Sequence, residues 1–237
     1  MAMTPAAHSS APAIDAKAMV ARAYFDRRSL SRRFRERRFV RVASIIDRII
    51  AEKGRCRIAD IGGTKYYWDI AEGFAASRSV EITLINPKEA QASAGKFRYL
   101  GGDATDLSAL DDMSFDFVHS NSVIEHVGDW PKMAAMAANV RRLAPCYYVQ
   151  TPNFWFPYEP HFRCLFFHWL PEQVRYRLVK RVALGFAGAQ GSVDAAMRRV
   201  QSARLLDEGQ MRTLFPDAAF AREKFLGLTK SLIAVRS

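Results

Sequence analysis

Short apolar runs, spaced too widely for simple hairpins, constrain this chain more than any other feature. Residues 57–61 (RIADI), 80–85 (VEITLI), 97–100, 115–119 (FDFVH) and 146–150 (CYYVQ) read as strands, with helical patterns over 66–74 and 131–143. The second helix repeats Met133, Met136, Ala137, Val140 and Leu143 on one side, with Asp129 as its N-cap and Pro131 in its first turn. Strands alternating with helices form βαβ units, and hence a parallel sheet covered on both faces. After Gln150 this rhythm stops until about residue 205. A helix over 207–214 and strands over 220–225 and 230–236 then follow, the last two joined at Gly227 as a hairpin. The fold expected is α/β, a doubly wound and mostly parallel seven-stranded sheet with a helical, aromatic cap insertion at about 152–205.

Charge divides the chain into three parts. Residues 1–54 carry a net +7, residues 55–151 a net −2, and residues 152–237 a net +6. Residues 1–15, rich in Ala, Pro and Ser, are expected to be disordered, and 16–54 to form a basic helical arm ahead of the main domain at 55–237. Eight arginines fall between Arg27 and Arg41, interleaved with Leu30, Phe34 and Phe39 and preceded by Tyr24 and Phe25. Val42, Ile45, Ile46, Ile49 and Ile50 follow at helical spacing, and Gly54 is placed to cap the helix. An arm of this kind suits peripheral contact with an anionic membrane, phosphates of a nucleic acid, or acids of the core. Cys56, Cys146 and Cys164 lie far apart without CxxC spacing, which argues against a disulfide framework or a zinc site. No secretory signal pattern and no run of about 20 apolar residues are visible, so the location expected is cytoplasmic, with an option at the inner membrane face.

In a doubly wound sheet the ligand lies beyond the carboxyl ends of the strands, so the residues there carry the functional reading. The first strand ends in Asp60-Ile61-Gly62-Gly63-Thr64, with the acid ahead of the glycines rather than a GxGxxG after them. LINP ends the second strand, GGDATDL follows the third and SNSVIEHV the fourth. In order and spacing these motifs resemble those of class I S-adenosylmethionine-dependent methyltransferases, in particular a bacterial type 11-like group. The resemblance covers roughly 55–151 and 206–237.

The resemblance implies S-adenosylmethionine as cofactor. Gly62, Gly63 and Thr64 would lie along its amino-acid part, and Asp60 would anchor the loop or the ammonium. Asn86 stands where the family has an acid for the ribose, a departure that gives up a charged bond. Asp103 would accept from the adenine amine with Ala104 beside it, and Ser120, Asn121 and Ser122 would face the methionine end. Glu125-His126 matches an EH pair of that group. Some quinone-type relatives carry a further Glu three residues earlier as part of a metal site, and here that position is Ser122, so no metal is expected.

The segment TPNFWFPYEPHF borders the same site. His161 is a candidate base, Glu159 its orienting partner, and His126 the next candidate; the alternative for each histidine is a structural ring. Trp155, Phe156 and Tyr158 suit either an acceptor surface or the packing of a lid. The function expected is methylation, on oxygen, of an apolar or amphiphilic small molecule such as a lipid or lipid-linked glycan. Two alternatives stay open: an RNA methyltransferase gripping phosphates with the arginine-rich arm, and a non-enzymatic membrane or scaffold protein that keeps the fold. Against the first, SNSV replaces the [DN]PP[YFW] motif of enzymes that methylate base amines.

Overall fold

The computed structural model describes residues 29–237 except Ala71, Glu72, Lys88 and Phe186. The tail expected over 1–15 and the start of the basic arm, with Tyr24, Phe25, Arg27 and Arg28, lie outside the described residues. The strands are β1 (Cys56–Ile61), β2 (Val80–Asn86), β3 (Ala92–Ala94), β4 (Phe97–Gly101), β5 (Phe117–Asn121), β6 (Cys146–Pro152), the short pair β7 (Tyr158–Glu159) and β8 (Cys164–Leu165), β9 (Ala219–Phe225) and β10 (Leu228–Arg236). All but β7 and β8 form one sheet in the order β3-β4-β2-β1-β5-β6-β10-β9. Strands β4, β2, β1, β5 and β6 run parallel, while β10 pairs antiparallel with both β6 and β9. The strand order turns back between β1 and β5, and their carboxyl ends open a crevice there.

The seven expected strands are present, and the eighth is β3, antiparallel to β4. Its sequence is Ala-Ser-Ala and wholly exposed, so it carries no apolar alternation to read. Strand β5 begins at Phe117, two residues later than expected, because Asp116 turns its carboxylate onto the Arg57 amide at 2.8 Å and Lys53 at 3.0 Å. The helix expected over 66–74 is only α2 (Lys65–Trp68), the Trp68 indole being held beneath it by Asp60 at 2.8 Å.

Helix α1 (Leu30–Lys53) starts at the Ser29 cap and stops at Gly54, where φ is +76°. Its Phe39, Val42, Ile45, Ile46 and Ile49 are buried on one face of the sheet against Ile58, Ile82, Phe117 and Tyr148. Helices α3 (Trp130–Leu143) and α6 (Glu208–Leu214) cover the other face, burying Met136, Val140, Leu143 and Met211 on Ala59, Ile61, Val118 and Val149. Ile58 and Ala59 point to opposite cores, as the two-residue strand period requires. The boundary expected at residue 54 therefore does not separate an arm from a domain, since α1 is one of the layers that cover the sheet.

Two of the arginines on α1 are buried. The Arg38 guanidinium meets both oxygens of Glu223 at 3.1 and 2.9 Å, and Lys230 joins the same carboxylate at 3.0 Å. The Lys230 ammonium also sits 4.1 Å from the Phe34 ring centre, and burial holds its pKa below the ordinary lysine value. Residues 153–206 form the cap, which contains β7, β8, α4 (Glu172–Arg181) and α5 (Val193–Val200). It has a small core of its own in Phe162, Phe167, Val179, Ala196 and Val200. Replacing Glu223 by Gln keeps the shape and leaves Arg38 and Lys230 buried without their anion. A loss of about 3–5 kcal/mol in urea unfolding is expected; a change below about 1 kcal/mol would mark the cluster as effectively solvated.

Candidate active site

Asp60 lies at the end of β1 with no exposed surface. Strand register sets His119 of β5 beside it, and the imidazole Nδ1–H donates to Asp60 Oδ1 at 2.7 Å while the Trp68 indole donates to Oδ2 at 2.8 Å. Tyr67 and Tyr148 flank the imidazole, at ring distances of 4.4 and 5.7 Å. Asp60 thus anchors the loop from below, on the α1 side of the sheet, and not by facing a ligand. Gly63 is required by this arrangement, since a Cβ there would fall 1.7 Å from Asp60 Oδ2. Gly62 adopts φ +72°, and a Cβ on it would meet Val123 at 2.5 Å. Both glycines are half-buried at the crevice, and Thr64 is exposed at the start of α2.

Asn86 ends β2 and donates its amide to Gly63 O at 3.0 Å, which leaves its Oδ1 as the acceptor of that side chain. Here the amide has a reason that an acid would not satisfy. After β4, the sequence DATDLS folds into consecutive turns: Asp103 Oδ1 accepts from the Thr105 amide at 2.9 Å and hydroxyl at 2.8 Å, and Asp106 binds Ser108 in the same way. The Thr105 amide, then its hydroxyl, hold the Asp103 carboxyl below its ordinary pKa, and the side chain is exposed. Helix α3 clamps this loop, with Asn139 on Ala104 O at 3.0 Å and Arg142 on Leu107 O and Leu110 O. The Ala104 carbonyl is therefore committed to α3.

Of the residues expected at the methionine end, Ser120 is buried and donates to Ile61 O within the sheet. Ser122, at φ +56°, donates to Gln150 Oε1 at 3.0 Å. Asn121 differs from both: its Oδ1 is buried and has no hydrogen-bond partner among the described residues. A buried acceptor at the strand-order crevice fits a cationic group such as the ammonium of S-adenosylmethionine. Together with the open Asp103 carboxylate, it makes the residues present compatible with that cofactor.

Beyond β5 a second polar group assembles. Glu125 is 1% exposed, with Oε2 accepting from Thr151 of β6 at 2.9 Å and Oε1 without a hydrogen-bond partner among the described residues. Burial pushes its carboxyl above the ordinary glutamate pKa. The next residue, His126, hydrogen-bonds Ser202 O through Nδ1 at 2.7 Å, and Glu125 O accepts from the Arg204 amide, so the return of the cap is tied to this turn. His161 comes from the cap and packs edge-on to His126 at a ring distance of 4.6 Å. Its Nδ1 is 2.6 Å from Oε1 of buried Glu159, whose Oε2 accepts from the Phe162 amide. The expected pairing of Glu159 and His161 is therefore formed. Trp155 and Tyr158 are exposed on the cap with Leu165, Phe166 and Trp169, whereas Phe156 faces Phe225 of β9.

Sequence reasoning missed His119 and Trp68 as the partners of Asp60. The available signal was a histidine one strand over at the matching register. It also kept Glu125 apart from His161, which lies 36 positions further along the chain and is brought close only by the cap.

Fold and strand-end motifs together are those of a class I S-adenosylmethionine-dependent methyltransferase domain. Residues 60–144 match the family model described as a methyltransferase domain. An uncharacterized protein of Mycobacterium tuberculosis, found in two strains, is 32% identical over 105 residues, 39% of this chain and 33% of that protein. The chain thus spans about a third of the length of the curated relatives it matches. The crystal structure of magnesium protoporphyrin IX methyltransferase from Synechocystis PCC 6803, with bound SAH, aligns over 94% of this chain and 95% of that one, with a TM-score of 0.50. At 13% identity this likeness concerns the fold. No described helix is long and apolar enough to cross a membrane.

Two substitutions probe the loop. His119→Phe keeps a ring among Tyr67, Trp68 and Tyr148 but removes a charged hydrogen bond from Asp60. Denaturant unfolding should show a loss of about 1.5–3 kcal/mol, and an unchanged midpoint would contradict the anchoring role. Asn86→Asp should weaken S-adenosylmethionine binding in calorimetry, because the amide bond to Gly63 O is lost. Tighter binding would mean that the missing ribose charge matters more than the loop.

Proposed function

We propose that this chain transfers a methyl group from S-adenosylmethionine to an oxygen of an apolar or amphiphilic small molecule, a lipid or lipid-linked glycan being the type in view. S-adenosylmethionine supplies a methyl on a sulfonium that is already activated, so the protein contributes mainly position. Gly62, Gly63 and Thr64 would receive its amino-acid part, Asn121 its ammonium, Asn86 its ribose and Asp103 its adenine amine. One observation carries the choice of acceptor. Two imidazoles and a buried carboxylate converge at the strand ends beside a cap that exposes Trp155, Tyr158, Leu165, Phe166 and Trp169. A polar reacting atom suits the first group and an apolar body the second.

The basic helix gives less support to an RNA acceptor. Arg38 is consumed by Glu223 inside the protein, and Arg35 is buried. Contact with an anionic surface would fall to Arg33, Arg37 and Arg41 on the exposed side of α1.

Asp103→Ala should weaken S-adenosylmethionine by about 1–3 kcal/mol in calorimetry, through loss of a charged acceptor. Labelled cofactor incubated with cell extract, followed by mass analysis, should give a labelled small apolar product. Label recovered only in RNA would overturn the choice of acceptor, and no binding of S-adenosylmethionine would overturn the methyl-transfer reading.

A further inference from the structure

Glu125, His126 and His161 are arranged as ligands rather than as a hydrogen-bond network. Each offers one ligand atom, and the three atoms lie within 4.8 Å of one another. Both histidines have their Nδ1 engaged, His126 on Ser202 O at 2.7 Å and His161 on Glu159 Oε1 at 2.6 Å. Both partners are acceptors, so Nδ1 carries a proton and Nε2 is the nitrogen that offers the lone pair in the neutral ring. Metal-bound histidines are held in this way, by a carbonyl or carboxylate on the far nitrogen. The third group gives independent support: Glu125 Oε1 is buried and has no hydrogen-bond partner among the described residues, although its twin oxygen is bonded to Thr151. A buried carboxylate oxygen without a donor is costly, and a cation would satisfy it.

We propose that Glu125, His126 and His161 form a three-ligand site for a divalent first-row transition cation, with an open position for an acceptor oxygen. Two imidazoles and one carboxylate suit Zn²⁺, Fe²⁺ or Co²⁺ better than Mg²⁺ or Ca²⁺, which favour oxygen. Bonds of about 2.0–2.2 Å require the ligand atoms to draw in by about 1 Å, a side-chain adjustment open to exposed His126. The site differs from what the sequence led us to expect. That expectation of no metal rested on Ser122 standing where a second Glu would be, and Ser122 is bonded to Gln150. The third ligand comes instead from the cap. The open position rests on the methyl-transfer reading: a hydroxyl bound there has its pKa lowered, loses its proton to solvent and presents a lone pair.

The test uses the full chain, stripped with a chelator and titrated with Co²⁺ and then Zn²⁺. We expect one Co²⁺ per chain with visible d–d absorption, displaced by Zn²⁺. His126→Ala and His161→Ala should each weaken binding at least tenfold, and Glu159→Gln, which meets the far nitrogen of His161 and the Phe162 amide but is none of the three ligands, by about tenfold. S-adenosylmethionine affinity, measured by calorimetry in the same variants, should stay within twofold. Absence of stoichiometric Co²⁺ and Zn²⁺ binding, or equal binding in wild type and both histidine variants, overturns the site. If the cation binds and S-adenosylmethionine does not, the metal site stands and the methyl-transfer reading fails.

Discussion

A carboxylate without exposed surface, Asp60, is the point on which the cofactor end of the molecule depends. It gathers the end of β1, the Trp68 indole of α2 and the His119 imidazole of β5 at one place between the sheet and α1. Those bonds bring its oxygens so close to Gly63 that no side chain fits there. The backbone of the loop is consequently left bare toward the crevice, which a phosphate-free, amino-acid-bearing cofactor can approach. A buried anion of this kind is stabilised only while its donors stay in place, so packing around His119 and loop geometry are one property.

The turn after β5 is organised by a different kind of joint. Helix α3 and β6 hold the turn carrying Glu125, while the cap reaches back to the same turn through Ser202 and Arg204. His161 arrives from the first part of the cap, just after β7, oriented by a glutamate that is itself pinned to the Phe162 amide. The cap's own small core makes this delivery rigid, because His161 directly precedes Phe162 of that core. The aromatic rim, with Trp155 and Phe166, is left outward.

The sheet was readable because apolar runs and capping residues act locally: Gly54, Asp129 and Asp207 stand where the helices start or stop. The strand β3 was not, since Ala-Ser-Ala buries nothing and owes its place to pairing with β4. The short α2 was misjudged for the opposite reason, a tertiary bond to Asp60 outweighing the helical pattern beyond Trp68. Asp103 and the glycine loop could be placed from spacing, and Glu159 with His161 from two-residue proximity. The convergence of Glu125 with His161 could not, because it depends on the route of 35 intervening residues through the sheet and cap.

The buried pair of Arg38 and Glu223 joins residues 185 positions apart. Helix α1 is synthesised before the hairpin of β9 and β10, so the Arg38 guanidinium lacks this partner until that hairpin is made. At about 5–20 residues per second that interval is on the order of 10–40 s. During it the apolar face of α1 waits beside an unfinished sheet, and of its arginines Arg35 and Arg38 are afterwards taken into the interior while Arg33, Arg37 and Arg41 stay exposed.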